Sequence, residues 1–177
     1  MNARYEKIMN DYIAAGEWAK AEKQCQKALA RDPGNHWWLI HLGLTLIETK
    51  RYPEAKEALD EADQATPHCP LVAWYKGVLH YELKEWMVAL AIFQTLHNRC
   101  VKKLKNSVID FCWESRKRTE ELDNDCRGRI GFCHLRLRCT KKALWWLKEH
   151  MKNRKKGRFS IYDAKVILNR IRDLENE

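Results

Sequence analysis

The residues best suited to chemistry lie close together after position 125: Cys126, Cys133, His134 and Cys139. Thiolate and imidazole are the ligands of structural zinc, but such sites are usually built from short-reach pairs that grip the ion from a single turn. The spacing here, C-x6-C-H-x4-C, contains no such pair. On one helix, Cys126 and Cys133 would share a face and Cys139 would lie roughly 120° away from them. Buried thiols in a helical core are the better reading, so no metal or cofactor is expected. His36, His41, His68, His80, His97 and His150 do not form the H-E-x-x-H arrangement of a metalloprotease helix. Seven glycines are spread singly, which leaves no loop to cradle a phosphate. Ser107, Ser115 and Ser160 are the only serines, and none sits in a G-x-S-x-G elbow. The chain is therefore expected not to be an enzyme.

Its 177 residues are 45% hydrophobic and 32% charged, the balance of a water-soluble, largely helical protein. No apolar run approaches the ~18 residues of a membrane span. The first residues, MNARYEKIMNDY, lack the apolar core of a signal peptide. A cytoplasmic location with reduced thiols is the expectation for seven cysteines without a framework spacing. The net charge of +9 is unevenly placed. Residues 1–100 are close to balance and hold all four prolines; residues 101–177 carry the surplus.

A 34-residue step organises the first part. Gly43 and Gly77 are related by it, as are Pro33 and Pro67, the trio Ala21, Ala55 and Ala89, and the aromatics Trp18, Tyr52 and Trp86. Three blocks follow, 2–35, 36–69 and 70–103. Each divides into two amphipathic segments joined by a short polar turn, and DPGN and TPHCP close the first two, where proline stops a helix.

This pattern resembles the tetratricopeptide repeat (TPR), a helix–turn–helix of 34 residues. The second block carries the signature most fully, in Leu39, Leu42, Gly43, Leu46, Ala55, Leu59, Ala62 and Pro67. The first gives Tyr5, Ile8, Tyr12, Ala21, Ala28 and Pro33, with Met9 where a small residue is usual. The third gives Gly77, Ala89 and Phe93, with Leu96 and Val101 in place of alanine and proline. The resemblance implies an all-α superhelix of three clear repeats over residues 1–103. A degenerate basic unit would follow at 124–157, with Gly131, Ala143 and Leu147 on repeat positions. Between them, 104–123 would form an insert or an extended helix. Ser160 and Asp163 read as a capping box that opens a C-terminal amphipathic helix within 158–177. Its stripe of Ile161, Ala164, Ile167, Leu168, Ile171 and Leu174 would cover the last repeat.

The adjacent tryptophans of NHWWLIHLG point about 100° apart on a helix, so they cannot share one core. The resemblance implies that first helices line a concave groove. It assigns Trp37, Ile40 and Leu44 to that groove, with Leu71, Trp74, Tyr75, Val78 and Tyr81 from the third block, and gives Trp38 to helix packing. An apolar patch of this size marks an interaction site, and its natural ligand is an apolar or amphipathic segment of a partner protein. The chain's own 104–123 or 160–177, or a second copy in a homodimer, could fill it instead, and a purely structural homo-oligomer is a further alternative. The groove clamp of TPR co-chaperones, which grips acidic tails, falls on Glu6, Asn10, His41, Leu71 and Tyr75; only Asn10 matches. In size and groove character the chain is more similar to small TPR chaperones, so an adaptor or small chaperone is the expectation.

A second candidate is the basic stretch 127–158. It contains Arg127, Arg129, Arg136, Arg138, Lys141, Lys142, Lys148, Lys152, Arg154, Lys155, Lys156 and Arg158, with Glu149 as the single acid. Trp145 and Trp146 lie inside it, at positions where second helices place core aromatics. Lys and Arg bind phosphates without regard to sequence, and bases stack on exposed rings, so nucleic acid or another polyanion is the alternative partner. A solvated face, an acidic protein partner and an anionic membrane surface account for the same charge.

Overall fold

The computed structural model describes residues 3–106, 115–154 and 159–176. Among them every regular element is a helix: α1 (Ala3–Ala15), α2 (Trp18–Leu29), α3 (His36–Glu48), α4 (Tyr52–Ala65), α5 (Pro70–Glu82), α6 (Trp86–Asn106), α7 (Arg116–Arg136), α8 (Thr140–Lys152) and α9 (Ala164–Asn176). They form two compact units, Met1–Leu83 and Lys84–Glu177. The block 70–103 thus contributes α5 to the first unit and α6 to the second.

Local sequence explains where these helices begin. Asn35 caps α3, its side-chain oxygen accepting from the Trp38 N–H. Prolines at the first turns of α4 and α5 occupy positions where a missing N–H costs nothing. Ser115 caps α7, its hydroxyl accepting from the Arg118 N–H. The turns between paired helices share one device. Gly16, Lys50, Lys84 and Arg138 all adopt positive φ, between 58° and 67°. The first three are again 34 residues apart. Around Lys50, its own N–H donates to the Ile47 carbonyl and the Arg51 N–H to the Leu46 carbonyl. The same pair of bonds closes α1 around Gly16 and α7 around Arg138. This left-handed cap satisfies the last carbonyls of one helix while reversing the chain into the next.

In the first unit α3 is the hub, packed against α2, α4 and α5. A Cβ built on Gly43 would meet Leu59 Cγ and Cδ2 at 2.8 Å, so glycine is what lets α3 and α4 approach. Trp38 lies in a core with Met9, Ala21 and Cys25. In the second unit α7 packs on both α6 and α8. Gly131 repeats the relation of Gly43: its Cβ would lie 2.8 Å from Leu147 Cδ2, and Leu147, like Leu59, is fully buried. The α7–α8 pair therefore crosses as the α3–α4 pair does. Helices α6 and α7 are each 21 residues long, against 12–14 for the others. The described part of 104–123 belongs to these two extended helices, and 107–114 lies outside the described residues.

The C-terminal helix departs from expectation. It begins at Ala164, and Asp163, not Ser160, caps it by accepting from the Lys165 and Val166 N–H groups. Ser160 is engaged elsewhere: its hydroxyl donates to Asp125 Oδ1 at 2.6 Å, and the Ile161 N–H donates to Asp125 Oδ2. Glu121 accepts from the Phe159 N–H. Two acids buried on α7 thus hold 159–161 away from the helix. Only Ile167, Ile171 and Leu174 of the expected stripe are buried, packing on Leu147; Ile161 and Leu168 are exposed.

Gly43→Ala should lower stability by about 1–3 kcal/mol, because Leu59 is enclosed and cannot retreat. Lys50→Gly should raise it by about 0.5–1 kcal/mol by removing the Cβ penalty of the left-handed region. Urea unfolding midpoints of the two variants check both.

Candidate functional site

The first unit presents its candidate face on α3 and α5, which pack against each other. Along α3, Trp37, His41 and Leu44 recur at helical spacing and are each partly exposed. Trp37 sits edge-on to Trp38, with ring centroids 4.5 Å apart, and tilts over His41 at 4.0 Å. Trp38 is the buried member of the pair, so Trp37 carries the surface role. Burial pushes the His41 imidazole down to about 4, and its Nδ1 has no hydrogen-bond partner among the described residues. The ring is a neutral, apolar-like part of the stripe at ordinary pH. Its spacing from Trp37 and Leu44 marks His41 for this face; what the sequence does not show is the burial that keeps the ring neutral there.

On α5, Leu71 is 36% exposed and Tyr75 and Tyr81 are half-buried. Burial, together with the nearby Glu48 carboxylate, pushes the Tyr75 phenol up to about 12. Glu48 ends α3 one turn beyond Leu44, so the two helices carry their partly exposed side chains side by side. Ile40, Trp74 and Val78 are different: each is at most 6% exposed and offers no contact surface. The expected groove set divides into a surface group, Trp37, Leu44, Leu71, Tyr75 and Tyr81, and three core residues beneath.

In the second unit, much of the basic stretch is used internally. The Arg127 guanidinium pairs with Asp123, whose other oxygen is 2.7 Å from His97 Nδ1. Arg129 stands over the Tyr162 ring and Arg136 over Trp86. Arg154 donates to the Tyr162 carbonyl at 2.7 Å. Lys148 pairs with Glu175 and Lys152 with Glu149. Arg138, Lys141 and Lys142 remain exposed at the start of α8. Lys155, Lys156 and Arg158 lie outside the described residues. Trp145 is not core: it is 56% exposed, while Trp146 turns inward against His97.

Among the described residues the cysteines take no ligand geometry. Cys126 and Cys133 are fully buried, and burial holds both thiols above the usual range; Cys139 is exposed. Among the described residues no group of three or more His, Cys, Asp or Glu is placed to hold a metal ion. Likewise, among the described residues no helix is long and apolar enough to cross a membrane.

A family model described as tetratricopeptide repeat matches residues 12–73. Residues 12–73, which hold α2, α3 and α4, are thus tetratricopeptide repeat sequence. Its fold is similar to MamA of Desulfovibrio magneticus RS-1, in a form from residue 41 to its end, at TM-score 0.56 and 13% identity. That match covers 84% of this chain and 73% of that one. A tetratricopeptide repeat protein from Parabacteroides merdae matches at TM-score 0.53 and 16% identity, over 97% of this chain and 70% of that one. No curated protein matches the sequence. At these identities the structures show the fold of the TPR pairs and nothing of a ligand.

His41 gives the first unit an acid-sensitive term. The unfolded imidazole takes a proton near pH 6.5, the folded one only near 4, so stability falls as pH drops through that interval. The loss should be on the order of 1–3 kcal/mol between pH 7 and 4.5. In His41→Phe that part of the pH dependence should vanish, as read from denaturation midpoints at the two pH values.

Proposed function

We propose that this TPR protein is a protein-interaction module, an adaptor or small chaperone, that holds an apolar or amphipathic segment of a partner on the α3–α5 face. The observation that carries this reading is the surface group Trp37, Leu44, Leu71, Tyr75 and Tyr81, large side chains left partly open to water on two neighbouring helices. Aromatic rings contribute large contact area at low entropic cost and dominate interface energetics. An amphipathic helix with apolar residues at i, i+3 or i+4, and i+7 would lay one face along this stripe. The neutral His41 between Trp37 and Leu44 supports an apolar ligand over an acidic tail. Nucleic acid is less well supported, since Arg127, Arg129, Arg136 and Arg154 already serve contacts within the second unit.

The test is affinity capture by the full chain from native lysate, with and without nuclease. A discrete partner that survives nuclease is the expected result. The double variant Leu44→Glu, Leu71→Glu should reduce its capture by more than tenfold, roughly the effect of losing 1.4 kcal/mol or more of binding energy. Both positions are partly exposed, so the unfolding midpoint should hardly move. Equal capture by the double variant, or a bound set that disappears with nuclease, would sink the proposal.

A further inference from the structure

The other side of α3 carries a second surface, and α8 carries its complement. A cleft of about 290 Å³ lies between α2, α3 and α4. Leu29, Leu42 and Leu46 are among its lining residues. Leu42 and Leu46 lie roughly 140–180° around α3 from Trp37, so this cleft is separate from the face discussed above. Along its α4 wall run Glu54, Glu57 and Glu61, spaced by three and four residues. Arg51 neutralises Glu54 and Glu22, whereas Glu57 and Glu61 are exposed and have no ion-pair partner among the described residues. The cleft is an apolar slot with an acidic edge.

The α8 helix presents the reverse. Lys141, Trp145, Lys148 and Lys152 share one outer stripe at spacings of four, three and four. The Trp145 indole projects at 56% exposure, held edge-on by Trp146 at 4.8 Å. Lys148 and Lys152 are four residues apart, as are Glu57 and Glu61, a rise of about 6 Å along each helix. Their own pairs with Glu175 and Glu149 lie at the surface, where such pairs contribute little and can exchange. We propose that the α8 stripe of one copy docks in the α2–α3–α4 cleft of a second copy. Trp145 enters the slot, and Lys148 and Lys152 face Glu57 and Glu61. An indole ring fills such a slot and buries on the order of 150–250 Å². The occupant is a second copy because both surfaces, the acidic-edged slot and the lysine-flanked ring, belong to this one chain. The contact joins different patches, so each added copy leaves a slot and a ring free, and assembly proceeds head to tail.

The experiment is sedimentation velocity on the full chain over a range of micromolar concentrations, with Trp145→Ala and Glu57→Lys, Glu61→Lys alongside. The wild type should grow past a dimer as concentration rises, and less so at high salt. Each variant alone should remain monomeric. Their equimolar mixture should form a one-to-one heterodimer and nothing larger, since one supplies the intact slot and the other the intact ring. All three positions are exposed, and unchanged unfolding midpoints confirm that the variants are folded. A wild type that stays monomeric, a Trp145→Ala variant that assembles as well as the wild type, or a mixture that does not associate would each overturn the proposal. So would a monomeric wild type whose Trp145 is instead needed to bind a single-stranded oligonucleotide. None of these variants touches the α3–α5 face, so the outcome is independent of partner capture there.

Discussion

The close approach of paired helices at a single glycine sets the terms for everything else in this protein. Gly43 lies against Leu59, and sixteen residues separate them; Gly131 lies against Leu147 across the same interval. A glycine on the first helix and a leucine on the second fix the depth at which the two cylinders interlock. The left-handed residue in the turn fixes the direction of return. Once both are set, the remaining core positions have little choice: Ala55 and Ala143 must be small, and both are fully buried.

On this common frame the two units are built of different materials. The first has an apolar core around Trp38, and its polar contacts lie at the edges, such as Arg51 with Glu22 and Glu54. The second places Glu121, Asp123 and Asp125 in the buried face of α7. Buried carboxylates are tolerated only where they are hydrogen-bonded or paired. His97, Arg127, Ser160 and two backbone N–H groups meet that need. Asp125 still bears a cost: burial pushes its carboxyl up to about 6 despite the bonds it accepts. Arg127, one of the basic residues that stand out in the sequence, is therefore a structural counterweight to Asp123.

The period and the helix pairs were legible because close helix crossing admits so few residue types that a step of 34 stands out. The 100° step between adjacent helical residues separates Trp37 from Trp38, and the repeat position gives Trp38 the buried side. Other features were hidden for identifiable reasons. Repeat position says which way Ile40, Trp74 and Val78 point, but not what covers them, and all three are buried. Ser160 and Asp163 are both good cap residues; the choice between them is made by Asp125, thirty-five residues upstream of Ser160. Trp145 and Trp146 are indistinguishable by type, and only the packing of Trp146 on His97 leaves Trp145 outside.

The bonds from Asp125 and Glu121 to residues 159–161 have a consequence for the order of events during synthesis. The two acids emerge from the ribosome well before their partners. Until 159–161 follow, α7 carries two carboxylates whose place in the folded protein is buried and whose donors do not yet exist. Water must solvate them in the interval, which keeps that face of α7 open. The second unit is thus obliged to finish late: residues 159–161 deliver the missing donors, and α9 behind them closes the apolar end. The unit matures vectorially, with its own tail acting as the clasp.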